Sequence, residues 1–265
     1  MSPDSVARAG RAVPRRVLVT GGGRGIGRGI GEALAVRGHH VAFASRTASE
    51  VLAAAAEAGN GAVGLAVDLD DLGAAAELGP RAAHALDGPI DIYVHAAGIA
   101  ANGAIGRLTL DDWERSFRIN VTSAFVIASE LAPGMAAAGW GRIVTVCSLY
   151  SRFAVGHTAA YSSSKHALLG LTRVLAAEFV KKGVTANAIV PGFVDTEMVR
   201  GEVAKAAAAR GLTEEEVLER FLRPQPIGRM VSVAEVGTLA AYLCSEAAAP
   251  ITGQAIDIDG GWYQA

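Results

Sequence analysis

Cysteine is scarce: Cys147 and Cys244 are the two among 265 residues. They are too few for a disulfide framework and are not spaced as metal ligands. A reducing, cytosolic compartment fits that usage. Runs of basic residues are also missing beyond Arg15-Arg16, and the formal net charge is −2, so no nucleic-acid partner is expected. No stretch reaches the ~18 consecutive apolar residues of a membrane span, and no membrane association is expected. Residues 1–14 are small, polar and proline-containing, without the apolar core of about 7–15 residues that marks a signal peptide. They read as a flexible tail ahead of one domain over 15–265. The histidines form no ligand pattern with carboxylates or cysteines, so no metal is expected. There is no G-x-S-x-G elbow, which removes serine-hydrolase chemistry. What is plentiful is apolar residue, 51% of the chain, enough to bury a large core at this length.

The apolar residues fall into two alternating patterns. Short runs over 17–20, 40–44, 61–67, 90–96, 142–147, 184–190 and 254–258 stop at glycine, proline or polar residues and read as buried strands. Between them, helical spacing covers 25–36, 48–58, 111–138, 158–182, 196–222 and 233–245. Residues 70–86 read as a weaker helix, interrupted by Gly73 and Gly79-Pro80. Strands alternating with helices predict an α/β fold: a single doubly wound, mostly parallel sheet with helices on both faces. Ligands in such folds sit at the carboxyl ends of the strands. The features that carry chemistry fall there: 20–27, 45–46, Asp68, 95–98, Ser148 and 191–196.

Thr20-Gly21-Gly22-Gly23-Arg24-Gly25-Ile26-Gly27 joins the first strand to the first helix. Glycine permits a tight turn and lets backbone N–H groups approach a phosphate at the positive end of a helix. Far downstream, Tyr161 and Lys165 stand at i and i+4 and share one helix face. A phenol with its ordinary pKa of about 10 is a poor acid–base group at neutral pH; a nearby ammonium favours the phenolate. On this basis Lys165 is expected to lower the Tyr161 pKa.

TGxxxGxG followed by YxxxK resembles the short-chain dehydrogenase/reductase family, and the resemblance runs from about Arg16 to Trp262. It implies a seven-stranded Rossmann-type sheet, a nicotinamide cofactor, and hydride transfer between carbonyl and alcohol. Matched residue by residue, it implies catalysis by Asn120, Ser148, Tyr161 and Lys165. Tyr161 would trade the proton, Ser148 would donate to the substrate oxygen, and Lys165 would also hold the ribose. Asn120 would fix a water linking Lys165 to solvent. Gly21, Gly23, Arg24, Gly25, Ile26 and Gly27 would bind phosphate, and Ala97 and Gly98 would pass close to the ribose. Asp68 would contact adenine, or merely cap a helix. In Pro191-Gly192-Phe193-Val194-Asp195-Thr196, Val194 and Thr196 would hold the carboxamide beside Pro191 and Gly192. Where a carboxylate would bind the ribose 2′-hydroxyl, the chain has Ser45 and then Arg46. With Arg24 nearby, this favours a 2′-phosphate and predicts NADPH/NADP+. His95 replaces an asparagine usual in the family, which tethers neighbouring strands; a structural role outweighs a chemical one.

Tyr150, Phe153, His157 and Phe193 are expected to wall the substrate; packing of the aromatic loop residues on one another is the equal alternative. Residues of about 196–223 read as a lid. The body resembles 3-oxoacyl-thioester reductases and polyketide ketoreductases, and the C-terminal segment resembles 3-hydroxybutyrate dehydrogenases. The expected activity is NADPH-dependent reduction of a ketone, free or linked to a carrier or CoA. A secondary-alcohol dehydrogenase is the alternative, and a non-catalytic NADP(H) sensor the remote one. Family members pair their two long helices between subunits, so a homotetramer is expected.

Overall fold

The computed structural model describes residues 13–264. Most of the expected N-terminal tail, residues 1–12, lies outside the described residues. Seven strands form one sheet in the order β3-β2-β1-β4-β5-β6-β7: β1 Arg16–Thr20, β2 His40–Ser45, β3 Val63–Ala66, β4 Ile92–His95, β5 Gly141–Val146, β6 Val184–Pro191 and β7 Ala255–Ile258. Every pairing is parallel, so the sheet is wholly rather than mostly parallel. Between them lie α1 Gly25–Ala35, α2 Ala48–Ala58, α3 Leu72–Ala85, α4 Leu110–Phe117, α5 Ser123–Ala137, α6 Ala159–Phe179, α7 Glu197–Arg210, α8 Glu214–Leu222 and α9 Val233–Leu243.

Alternation along each strand sorts side chains onto two faces. Val17, Val19, Phe43, Ile92, Val94 and Val144 pack against Ile30 and Leu34 of α1, Val51 of α2 and Val236 of α9. Leu18, Ala42, Tyr93 and Ile143 face the other way, against Leu78 of α3, Ile127 and Leu131 of α5, and Leu175 of α6. Both faces are therefore covered, as an all-parallel sheet requires. The chain winds outward from β1 in one direction and from β4 in the other. Between them lies the point where the strand order reverses, and a crevice opens at the carboxyl ends.

Three helical expectations change. Residues 72–85 form one continuous helix through Gly79-Pro80. Burial of Ala75, Leu78 and Ala82 against the sheet and the Asp71 cap, whose Oδ1 accepts from Gly73 N at 2.9 Å and Ala74 N at 3.1 Å, outweigh the local cost. The long helix over 111–138 is broken by a π-helical segment, Arg118–Thr122. The lid region is two helices, not one: Gly211 adopts φ 64° and ends α7, and a Thr213/Glu216 capping box starts α8. Their apolar faces meet in a small core of Val203, Ala207 and Val217.

The helical stretch 110–137 is long and apolar enough to cross a membrane by length and composition alone. Here it behaves as a core helix: Ile127, Leu131 and Met135 pack on the sheet.

Candidate active site

The glycine turn lies against the end of β4. A Cβ on Gly21, whose φ is 65°, would stand 2.8 Å from the backbone of Ala96 and Ala97, so only glycine fits. Arg24 occupies the position before α1 and makes no side-chain cap, and the first turn of α1 carries no acidic residue. Gly25, Ile26 and Gly27 of this helix start line the crevice, and free helix N-terminal N–H groups can receive an anion.

A groove enclosing about 260 Å³ runs along the carboxyl ends of the strands. Gly21, Gly23, Arg24, Gly25, Ile26, Gly27, Ser45, Arg46, Asp68, Ala97, Gly98 and Thr196 all line it, so the structure brings these predicted residues together. Ser45 Oγ is buried and has no hydrogen-bond partner among the described residues. An unpaired buried hydroxyl costs stability; this one lies behind the glycine turn, 2.6 Å from where a Cβ on Gly23 would stand. The glycine cradle and this orphaned hydroxyl fit a dinucleotide.

Pro191, Gly192 and Val194 are not in the groove wall. Pro191 pairs in register with Ile258. Gly192 packs where a Cβ would stand 3.0 Å from the Asp259 Cα. Val194 sits in the core. Thr196 both lines the groove and starts α7, its Oγ1 accepting from Val199 N at 3.3 Å.

Sequence reasoning passed over Glu50. It sits in the first turn of α2 and lines the groove beside Ser45. Arg24 Nη1 lies 3.9 Å from Glu50 Oε1 and 3.5 Å from Glu197 Oε2 at the start of α7. The i+4 spacing from Arg46 was its one available signal.

The residues predicted for acid–base chemistry converge from the end of β5, α6 and the π segment. Ser148 caps a short 3₁₀ turn, its Oγ accepting from Tyr150 N at 3.2 Å. Its own proton stays free to be donated. Ser148 lies against the Tyr161 phenol and favours the phenolate, but burial has the larger effect and pushes the Tyr161 pKa up. The expected lowering by Lys165 does not set the net direction. Lys165 Nζ donates to Val146 O at 2.9 Å and stands 5.8 Å from the Tyr161 ring centroid. Burial pulls the Lys165 pKa down.

Asn120 is fully buried. Its Oδ1 accepts from Ile99 N at 2.8 Å, and its Nδ2 donates to Ile99 O at 3.0 Å and Ser164 Oγ at 2.9 Å. The carboxamide thus clamps the loop after β4. A Cβ on Gly98 would lie 3.2 Å from Lys165 Nζ and 3.4 Å from Asn120 Oδ1, so the absent side chain at Gly98 makes room for both. Ser164 is part of this clamp, its Oγ accepting from Asn120 Nδ2.

The expected substrate wall divides. Tyr150 meets Tyr161 edge-on at 6.1 Å between centroids and Phe153 at 5.9 Å. Phe193 packs on Phe221 at 5.4 Å and Trp262 at 5.1 Å. Phe153 joins Trp262 at 6.0 Å and Tyr263 at 6.2 Å. Trp262, Tyr263 and Phe221 are contributions that sequence distance concealed. Arg152 is spent on β7, bonding Asp257 at 2.9 and 3.0 Å. His157 stands apart, at φ 71°, beside Asn102, Arg107 and Asp112 in a separate cavity.

A dinucleotide crevice at the strand reversal, with Ser148, Tyr161 and Lys165 beside it, defines an oxidoreductase of the doubly wound class. The family model described as enoyl-(acyl carrier protein) reductase matches residues 21–263, and the chain belongs to the short-chain dehydrogenase/reductase family. It is 38% identical over 254 residues to D-beta-hydroxybutyrate dehydrogenase of Cupriavidus necator, covering 94% of this chain and 97% of that relative. It is 33% identical over 252 residues to the 3-oxoacyl-[acyl-carrier-protein] reductase MabA of Mycobacterium tuberculosis, covering 94% and 93%. A crystal structure of a variant actinorhodin polyketide ketoreductase with NADPH superposes with a TM-score of 0.89 at 32% identity, over 94% of this chain and 97% of that one.

Proposed function

We propose that this chain reduces a ketone to a secondary alcohol with NADPH, and that Tyr161 gives the proton. The observation that carries the reading is the convergence of Tyr161 and Lys165 on the groove: Lys165 Nζ stands 5.8 Å from the Tyr161 ring centroid and would lie 3.2 Å from a Cβ on Gly98. A phenol is protonated at neutral pH, so Tyr161 has a proton to give. When bound, the nicotinamide supplies the hydride. Tyr161 delivers its proton to the carbonyl oxygen, and Ser148 donates a hydrogen bond as negative charge builds there. Lys165 holds positive charge close by.

NADPH is favoured because Ser45 stands where a carboxylate would repel a 2′-phosphate, and Arg24 and Arg46 share that wall. Glu50 opposes this preference and Arg24 partly neutralises it. The aromatic surroundings of Tyr161 suit an apolar 3-oxoacyl or polyketide-like ketone, and the resemblance to a carrier-protein reductase supports a carrier-linked one. Pro191, Gly192 and Val194 support the nicotinamide end from behind the groove, and α7 with α8 forms a lid over it.

The second reading, a secondary-alcohol dehydrogenase of the 3-hydroxybutyrate type, is favoured by the Cupriavidus relative. A panel of ketones and acyl thioesters with NADPH and NADH, followed by cofactor absorbance, tests both. NADPH oxidation that disappears in Tyr161→Phe, with NADPH affinity kept, is the expected result. Faster turnover of a small 3-hydroxy acid with NAD+ would favour the second reading. Binding without turnover on any substrate would reduce the chain to a sensor.

The assembly we propose is a cytoplasmic homotetramer. Leu110 at 71% exposed, Phe125 at 55% and Val174 at 53% leave apolar surface on α4, α5 and α6. A monomer by light scattering at micromolar concentration would exclude the tetramer.

A further inference from the structure

We propose that Gln225 is a positioning residue: its side-chain amide clamps the Phe193 peptide and so sets the turn from β6 into α7 at the nicotinamide end of the groove. The inference rests on reading residues 191–196 as the support of the nicotinamide. Gln225 follows α8 and is 1% exposed, a place an amide occupies when its polar groups are paired. Its Oε1 accepts from Phe193 N at 2.9 Å. Its Nε2 donates to Arg229 O at 2.6 Å and, at a longer 3.4 Å, to Phe193 O. The partners dictate which way the amide points. A backbone N–H can only donate and a carbonyl can only accept, so the oxygen faces Phe193 N and the nitrogen faces the two carbonyls.

Backbone bonds hold the turn on either side of this contact. Gly192 N donates to Ile258 O at 3.2 Å, Asp195 N to Val231 O at 2.9 Å, and Val231 N to Phe193 O at 2.9 Å. Phe193 N, between Gly192 and Asp195 in the chain, turns to Gln225 instead. Residue 192 makes room for the amide by having no side chain: a Cβ there would collide with Gln225 Oε1. On the far side Ile227 N donates to Gly260 O at 3.0 Å. One buried side chain therefore ties the end of α8 to the β6–α7 turn and to the stretch that enters α9.

The tie reaches the groove at two points. Holding the Phe193 peptide fixes where its ring meets Phe221 and Trp262. Three residues on, Thr196 lines the groove and starts α7, with Glu197 and Met198 in the same wall. A shift at Phe193 carries these residues with it. Ser45, Arg46 and Asp68 line the groove from the ends of β2 and β3, on elements the clamp does not touch. Loss of the amide should therefore disturb one end of a bound dinucleotide and spare the other.

Two substitutions test this. Gln225→Glu keeps the shape and the acceptor but turns a carboxylate oxygen onto two carbonyls; Gln225→Met keeps the length and removes both functions. Calorimetric titration with NADPH and with adenosine 2′,5′-bisphosphate, which lacks the nicotinamide, separates positioning from general loss of structure. Both variants should lose about tenfold in NADPH affinity, the worth of one or two hydrogen bonds, while the bisphosphate Kd stays within about twofold. Equal loss on both probes, or unchanged NADPH affinity in either folded variant, overturns the proposal. A parent chain that prefers NADH is put to the same comparison with NADH and 5′-AMP. A parent that binds neither dinucleotide overturns the reading of the groove, and the role of the clamp with it. Where the variants do not fold, amide hydrogen exchange in the parent decides: slow exchange at Phe193 N is expected of a bond to a buried amide, and fast exchange there refutes the clamp.

Discussion

Acid should destabilise this protein through His95 by an amount that can be separated from other titrations. The imidazole is fully buried, and burial, aided by the Lys165 charge, pulls its pKa from 6.5 to about 3. The sign follows from proton binding. Below about pH 6.5 the unfolded chain takes up a proton that the folded chain refuses until about pH 3, so stability rises with pH across that window. Going from pH 7.5 to pH 5, this one group removes about 2 kcal/mol, at about 1.4 kcal/mol per unit once the unfolded imidazole is charged. His95→Gln keeps a donor but cannot titrate. Urea unfolding of both proteins at both pH values, at one fixed protein concentration and followed by tryptophan fluorescence, isolates the difference. With a slope near 3 kcal/mol per M urea, the parent midpoint should fall about 0.7 M further than that of the variant. Equal pH trends in the two proteins would mean that the folded ring is protonated or solvated, and the buried neutral imidazole would be wrong.

Lys165→Ala should lower both turnover and NADPH affinity, checked by steady-state kinetics and a fluorescence titration, because its ammonium stands beside both Gly98 and Tyr161. Arg46→Asp places a carboxylate beside Ser45 in the groove wall and should invert the NADPH-over-NADH ratio of kcat/KM; an unchanged ratio would refute the 2′-phosphate reading. Gly27→Ala drives a methyl into the Gly21 carbonyl across the phosphate turn. It should cost roughly 1–3 kcal/mol, as overpacking does, lower Tm in differential scanning fluorimetry and weaken NADPH binding.

Local signals were read correctly where the structure depends on local chemistry. Seven apolar runs became seven strands because each is bounded by residues that stop it. The glycine turn was legible because Gly21 must adopt a positive φ against the Ala96 backbone. Tyr161 and Lys165 share a helix face, which four-residue spacing dictates. The misreadings arose where distant contacts prevail. Pro80 does not interrupt α3 because the sheet holds the helix on either side of it. A π segment has no sequence pattern of its own. The Tyr161 pKa moves up because burial outweighs the Ser148 hydroxyl, and burial is not a local property.

The amino-acid sequence by itself determined the winding order of strand and helix, the glycine turn and the Tyr161–Lys165 pair on one helix face. Periodicity, glycine and helical spacing act within a few residues, so they can be read in one dimension. Tertiary structure alone decided what stands beside those residues. It put Glu50 and Glu197 against Arg24, Trp262 against Phe193, and the Thr20 hydroxyl against His95. These neighbours are separated along the chain by tens of residues, or come from an adjoining segment of the same crevice. Only the closing of the parallel sheet, with helices packed on both faces, brings them within bonding distance.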